Sequence, residues 1–200
     1  MKETLSGFTC HELRPGHRFW VGRLPDDLVF DQVQFETLWK MHPDEFHVIK
    51  MHGRLVKTPR WQQAYGKDYH YTGRVNRALP VPPLLEPLLR WSCETIDSDL
   101  NGLLLNWYDG SLGHYIGRHR DSTHNLISGS PIVTISLGEQ RTFRLRSWPP
   151  SAGAAPIDFE ASNGTVFVMS WETNLAFTHE VPPSTRRPGK RVSVTLRAFS

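Results

Sequence analysis

A mainly β fold with flanking helices is what this chain of 200 residues predicts, and three observations carry the prediction. Gly 15 and Pro 15 imply many turns joining short elements, which a helical bundle does not need. From residue 103 onward the chain falls into short apolar runs, LLLNWY, PIVTISLG, RTFRLRSW, IDFEA, GTVFVMSW, FTHEV and RVSVTLRAF, separated by Gly, Pro, Ser and Asn. That spacing suits a sandwich or barrel. Within RTFRLR, Thr142, Arg144 and Arg146 alternate with Phe143 and Leu145, the pattern of a strand with one wet face and one dry face.

Ahead of the strands, residues 25–40 carry Leu28, Phe30, Val33, Phe35, Leu38 and Trp39 among charges, and a short amphipathic helix is expected there. Residues 47–73 mix alternating apolar residues with Gly and Pro breaks and read as short strands and loops. In ALPVPPLLEPLLRW, Pro82 and Pro83 are expected to open a helix whose apolar face is Leu84, Leu85, Leu88, Leu89 and Trp91. Pro87 would then sit in its first turn, where a missing N–H costs little. The N-terminal half is too poor in core residues to stand alone, so one structural domain is expected.

Composition narrows the class further. With 38% hydrophobic, 22% charged and 11% aromatic residues the chain is globular, not disordered. Its two cysteines, Cys10 and Cys93, make neither a disulfide framework nor a CxxC metal site, which points to a reducing, intracellular setting. No run approaches the roughly 18 apolar residues of a spanning helix, and the first residues lack the apolar core of a secretory signal. No membrane role is expected. The net charge of +3 is unevenly spread: residues 47–77 hold seven basic side chains and one acid, and residues 184–200 five basic and none acidic. Such patches suit an anionic partner, nucleic acid included, or an ordinary solvated face.

The sharpest local signal is Arg118-His119-Arg120-Asp121. In a strand, residues two apart share a face, so His119 and Asp121 can grip one metal ion. A third ligand is available in His179, 58 residues beyond Asp121 in the alternating stretch FTHEV. Two histidines and one carboxylate on one side of an ion leave open positions for cosubstrate and oxygen, the ligand set of a non-haem Fe(II) oxygenase. Zinc accepts the same donors, and His-Arg-Asp also opens the catalytic loop of protein kinases. The kinase reading fails because Leu126 stands where that loop needs Asn.

The last strand argues for the oxygenase. Period-2 geometry sends Arg191, Ser193, Thr195 and Arg197 to one face and Val192, Val194 and Leu196 to the other. Guanidinium forks are the side chains best shaped for a short dicarboxylate, and Asn106 and Tyr108, two apart on a neighbouring strand, add neutral donors. Zinc hydrolysis gives that pair of arginines no purpose.

The ordered series PRWQQAYG (59–66), YHYTG (69–73), NWYDG (106–110), HRD (119–121), SPIVTISLG (130–138), THEVP (178–182) and RVSVTLR (191–197) resembles the AlkB-type Fe(II)- and 2-oxoglutarate-dependent dioxygenases, which remove alkyl groups from nucleobases. The resemblance implies a double-stranded β-helix (jelly-roll) core over residues 101–200. Residues 1–100 would supply N-terminal helices and a nucleotide-recognition lid packed on it. It implies Fe(II) on His119, Asp121 and His179, and 2-oxoglutarate held by Asn106, Tyr108, Arg191, Ser193 and Arg197, with O2 as oxidant. In the lid, Tyr71 matches the aromatic position that stacks on a flipped-out base, with Tyr65 and Tyr69 nearby; Arg60, Arg120 and Thr123 complete the expected substrate contacts. Arg54, Lys57, Lys67 and Arg74 add charge for the flanking phosphates.

The expected partner is therefore alkylated DNA or RNA, handled by a monomer in the cytoplasm, or in the nucleus of a eukaryote. This sequence departs from the family at three places. Ser122 and Thr123 stand where many relatives have acidic residues, Ser193 where an Asn is frequent, and His52 where some relatives insert an apolar wedge. Two alternatives stay open: the same chemistry on a small molecule or protein side chain, and a catalytically silent nucleic-acid-binding module.

Overall fold

Strict alternation in the strand sequences gives each strand two chemically different faces, and the architecture follows from pairing like faces. The computed structural model describes residues 5–51, 53–71, 74–150 and 153–200, with the backbone alone at 50, 51, 71 and 74. In chain order the elements are β1 (Thr9–Arg14), β2 (His17–Arg23), a 3-10 turn (Asp26–Leu28), α1 (Gln32–Trp39), β3 (Val48–Met51), β4 (Arg54–Lys57), β5 (Trp61–Tyr65), β6 (Tyr69–Tyr71), β7 (Arg74–Asn76), β8 (Ala78–Leu79) and α2 (Glu86–Thr95). There follow β9 (Gly102–Asp109), β10 (Ile116–His119), β11 (Ile132–Gly138), β12 (Arg141–Ser147), β13 (Ile157–Ala161), β14 (Thr165–Met169), α3 (Trp171–Ala176), β15 (Phe177–Val181) and β16 (Lys190–Arg197).

Eight strands form the major sheet in the order β1-β2-β14-β11-β16-β9-β5-β8, and four form the minor sheet, β10-β15-β12-β13. This is the jelly-roll arrangement. One face of the major sheet is dry: Leu103, Leu105 and Trp107 of β9, Val133, Ile135 and Leu137 of β11, and Val192, Val194 and Leu196 of β16 join one apolar cluster. Helices α1 and α2 cover it through Phe35, Leu38, Trp39 and Leu88. The Trp107 indole N–H donates to the Leu38 carbonyl at 3.0 Å, which satisfies the buried nitrogen and fixes α1 on the sheet. Burial of this kind is worth roughly 1.5–3 kcal/mol per large aliphatic side chain.

The other face looks toward the minor sheet across a phenylalanine cluster, with Phe19, Phe143, Phe167 and Phe177 all buried. Phe143 and Phe167 stack with centroids 4.8 Å apart. The gap between the sheets that phenylalanine does not fill is the candidate site.

Helix α1 lies inside the expected 25–40 window. It begins at a capping box, in which the Asp31 carboxylate accepts from Gln34 N–H at 2.8 Å and the Gln34 side chain accepts from Asp31 N–H at 3.0 Å. Helix α2 starts later than the prolines predicted. Pro82 spends its carbonyl closing a turn with Leu85 N–H at 2.9 Å, and the helix opens at Glu86 with Pro87 in its first turn. The boundary expected at residue 100 does not divide the sheet, because β1, β2, β5 and β8 all precede it and are strands of the major sheet. Among the described residues, no helix is long and apolar enough to cross a membrane.

Candidate active site

Antiparallel pairing of β10 with β15 sets His119 directly opposite His179. Cross-strand partners are nearest neighbours, so the two imidazoles lie side by side with ring centroids 4.2 Å apart. Asp121 is not on the strand that His-x-Asp predicted; β10 ends at His119 and Asp121 lies just beyond it. Asn174 of α3 holds it there instead. Its Oδ1 accepts from Asp121 N–H at 3.0 Å and its Nδ2 donates to the Asp121 carbonyl at 3.1 Å. The Asp121 Oδ1 oxygen then stands 3.6 Å from His119 Nε2 and 3.7 Å from His179 Nε2. Donors that share an ion at about 2.1 Å lie no more than about 4.2 Å apart, so both spacings admit one metal.

The electrostatics prepare all three groups as ligands. Burial opposes charge on Asp121, but the Arg197 guanidinium and the two imidazoles outweigh it and hold the carboxyl well below the usual carboxylate range. Arg197 donates from Nε at 3.1 Å and from Nη2 at 2.6 Å to Oδ2, which leaves Oδ1 for the ion. Burial, reinforced by the charge of His119, pushes His179 down to about 3, so at neutral pH its ring is neutral and keeps one nitrogen lone pair for an ion. His119 Nδ1 lies 2.8 Å from the Gly117 carbonyl. That contact fixes the proton on Nδ1 and leaves the Nε2 lone pair for the metal.

Alternate residues of β16 and β9 wall the pocket behind the triad: Arg191, Ser193, Thr195 and Arg197 from one, Leu104, Asn106 and Tyr108 from the other. Arg191 is wholly buried. Its Nε donates to Ser136 Oγ at 2.9 Å, while Nη1 and Nη2 have no hydrogen-bond partner among the described residues. A buried guanidinium stays charged, so two open donors facing a cavity call for an anion. Asn106 spends Oδ1 twice, accepting from Arg60 Nε and from Gln62 Nε2 at 2.8 Å each, which leaves its Nδ2 as a donor for the pocket. This donor set fits a short dicarboxylate.

The expected substrate contacts divide. Arg60 and Tyr69 line the same pocket. The Arg197 guanidinium carbon lies 4.5 Å above the Tyr69 ring, so Tyr69 braces Arg197 rather than offering a free face to a base. Tyr65 corrects the expectation outright: period-2 geometry turns it to the opposite face of β5, into the core under the helices. Arg120 and Thr123 line a second, open groove with Arg118, Ser122, His124 and Trp148, and His119 and Asp121 belong to both walls. Arg120 lies over the Trp148 ring at 5.2 Å and donates to the Leu175 carbonyl at 2.9 Å. The side chains of Tyr71 and Arg74, and all of His52, lie outside the described residues.

Sequence reasoning missed Asn174 and Ser136. No periodic signal marks either; only the packing of α3 on the loop after β10 and the register of β11 with β16 reveal them.

Imidazole, imidazole and carboxylate on one side of a cavity, with open cationic donors behind them, define a non-haem iron(II) oxygenase. The chain belongs to the 2OG-Fe(II) oxygenase superfamily, whose family pattern matches residues 27–197. It is 28% identical over 185 residues to the mouse (Mus musculus) protein named DNA oxidative demethylase ALKBH2, covering 88% of this chain and 76% of that one. To the human (Homo sapiens) protein of the same name it is 27% identical over 184 residues, covering 88% and 69%. The rat (Rattus norvegicus) alpha-ketoglutarate-dependent dioxygenase alkB homolog 3 shares 28% over 148 residues, 70% of this chain and 50% of that one. Among solved structures, OsALKBH1 superposes with a TM-score of 0.57 at 16% identity over 96% of this chain and 100% of that one, a likeness of fold alone.

Proposed function

We propose that this oxygenase dealkylates nucleobases in DNA by oxidation. The observation that carries the proposal is the position of two of the three metal ligands, His119 and Asp121, on a wall shared by two cavities. Behind it is the buried pocket with the open Arg191 donors, and in front is the groove bearing Arg118, Arg120, His124 and Trp148. Cosubstrate enters one, and a strand with a base turned out of the stack lies along the other. The names of the mouse and human relatives support DNA as the polymer.

Bound iron, with 2-oxoglutarate and O2, supplies the power to hydroxylate an N-alkyl carbon, after which the hemiaminal falls apart to free base and aldehyde. The protein's part is placement. Arg191 takes the distal carboxylate of 2-oxoglutarate, and Asn106 Nδ2 donates beside it. Arg197 and Asn174 together fix Asp121, from the carboxylate end and the backbone end. Phe143, stacked on His179 at 5.5 Å, keeps water from the far side of the triad. Exposed Arg54 and Lys57 on β4 and exposed Lys67 offer charge to phosphates outside the site.

Ser122 and Thr123, neutral residues on the groove wall, favour a second reading in which the same chemistry acts on a small molecule or protein side chain. The proposed acting unit is a monomer. With Cys10 and Cys93 both free thiols, its proposed setting is the cytoplasm or nucleus, RNA being the other substrate within reach there. The test is succinate formation from 2-oxoglutarate in the presence of methylated and etheno-modified DNA and RNA oligonucleotides, with amino acids as controls. Turnover coupled to release of unmodified base supports the proposal. Turnover stimulated only by the controls would transfer it to the second reading.

A further inference from the structure

A second buried cation, Arg141, stands on the inward face of β12 two residues before Phe143, which lines the cosubstrate pocket, and neither the motif nor the metal chemistry accounts for it. Arg141, the first residue of β12, is 2% exposed. It has no ion pair among the described residues. Its Nη2 donates to the carbonyls of His114 at 3.0 Å and Pro182 at 2.8 Å, while Nε and Nη1 have no partner. Arg191, 0% exposed, is in the same condition at Nη1 and Nη2. The chain brings the two together through the β11–β12 hairpin. Gly138 pairs with Arg191 in register, and Arg141 follows three residues later. Gly138 has φ +85°, and a Cβ there would stand 2.5 Å from the Lys190 carbonyl, so the tight turn that delivers Arg141 admits glycine alone.

Burial holds both guanidiniums below the ordinary arginine range, with Tyr108 opposing it at each and the charge of Arg141 adding to it at Arg191. Tethering the loops at His114 and Pro182 needs one donor nitrogen, not a buried full charge. Two adjacent buried cations with four open nitrogen positions are unfavourable until an anion offsets them. A single carboxylate meeting Arg191 would be the nearest source of that offset.

We propose that Arg141 is a specificity-determining positioning residue that acts across Tyr108 and Arg191 on the distal carboxylate of the cosubstrate, so that the pocket prefers a 2-oxo dicarboxylate over a 2-oxo monocarboxylate. The inference rests on reading this pocket as the 2-oxoglutarate site. The test uses anaerobic Fe(II)-loaded protein titrated calorimetrically with 2-oxoglutarate and with 2-oxopentanoate, which carries a methyl group in place of the distal carboxylate. Arg141→Met should weaken 2-oxoglutarate about tenfold or more and leave 2-oxopentanoate within about twofold, while Arg141→Lys keeps most of the preference. Equal weakening of both acids, or of neither, overturns the proposal. Should Arg141→Met not fold, Arg141→Gln decides, since its amide can still donate toward the His114 and Pro182 carbonyls but carries no charge: the dicarboxylate preference falls several-fold if the charge of Arg141 contributes, and stays at the wild-type value if it does not. Wild-type protein that binds neither acid refutes the cosubstrate reading itself, an outcome separate from loss of discrimination.

Discussion

Asn174→Ala removes two hydrogen bonds and nothing that touches the metal. In the native protein the Asn174 side chain, 1% exposed, meets the Asp121 N–H at 3.0 Å and the Asp121 carbonyl at 3.1 Å. Each buried backbone group left unpaired costs about 1–3 kcal/mol, so the pair is worth about 2–6 kcal/mol if the loop cannot move. The loop after β10 belongs to no strand and can shift to find water, which converts part of that cost into a misplaced carboxylate. Loss of such an orienting partner lowers metal affinity by about 10–100-fold. Anaerobic Fe(II) titration, run beside thermal unfolding, separates the two shares. Asn174→Asp keeps an acceptor for Asp121 N–H but loses the donor, and should fall between wild type and alanine. Native iron affinity in Asn174→Ala, whatever its melting temperature, would refute the backbone clamp.

Arg197→Met leaves a buried carboxylate uncompensated and should destabilise the metal-free protein by about 3–5 kcal/mol in denaturant unfolding, with Asp121→Asn in the same chain restoring most of it; a neutral single variant contradicts the ion pair. Arg191→Met removes a buried cation with open donors, so the ligand-free protein should melt no lower than wild type while its affinity for 2-oxoglutarate collapses; a large drop in melting temperature would mean that the arginine serves the fold. His114 is held below the ordinary imidazole value chiefly by burial, and its Nδ1 accepts from Asp109 N–H at 3.1 Å. The unfolded chain therefore takes up the proton first as pH falls. Stability from neutral His114 is present above the usual value of 6.5 and declines as pH drops through it toward the folded value. His114→Gln should flatten that part of the stability–pH curve, and an unchanged slope would exclude His114 as its source.

The β half of the chain was legible because period-2 alternation is a direct image of a sheet with two unlike faces. Runs such as RVSVTLR assign Arg191 and Arg197 to the pocket and Val192 and Val194 to the core without further information, and the structure agrees. The same rule, applied to PRWQQAYG, places Tyr65 opposite Arg60 and Gln62, in the core, and its closeness in sequence to Tyr69 and Tyr71 says nothing about which face it takes. Asp121 was found for a reason that is only half right: the spacing from His119 holds, but a side chain on α3 sets its position, not a strand. Arg141 was hidden because its alternation partners Phe143 and Leu145 mark a dry face, where a charge is unexpected. Contacts that depend on two distant segments meeting leave no local trace.

Convergence of His119, Asp121 and His179 on one iron is the claim from which the rest follows, and His179 is its most distant member. Anaerobic calorimetric titration with Fe(II) should give one ion per chain for wild type and no measurable site for His179→Ala. One ion bound with undiminished affinity in His179→Ala would contradict it.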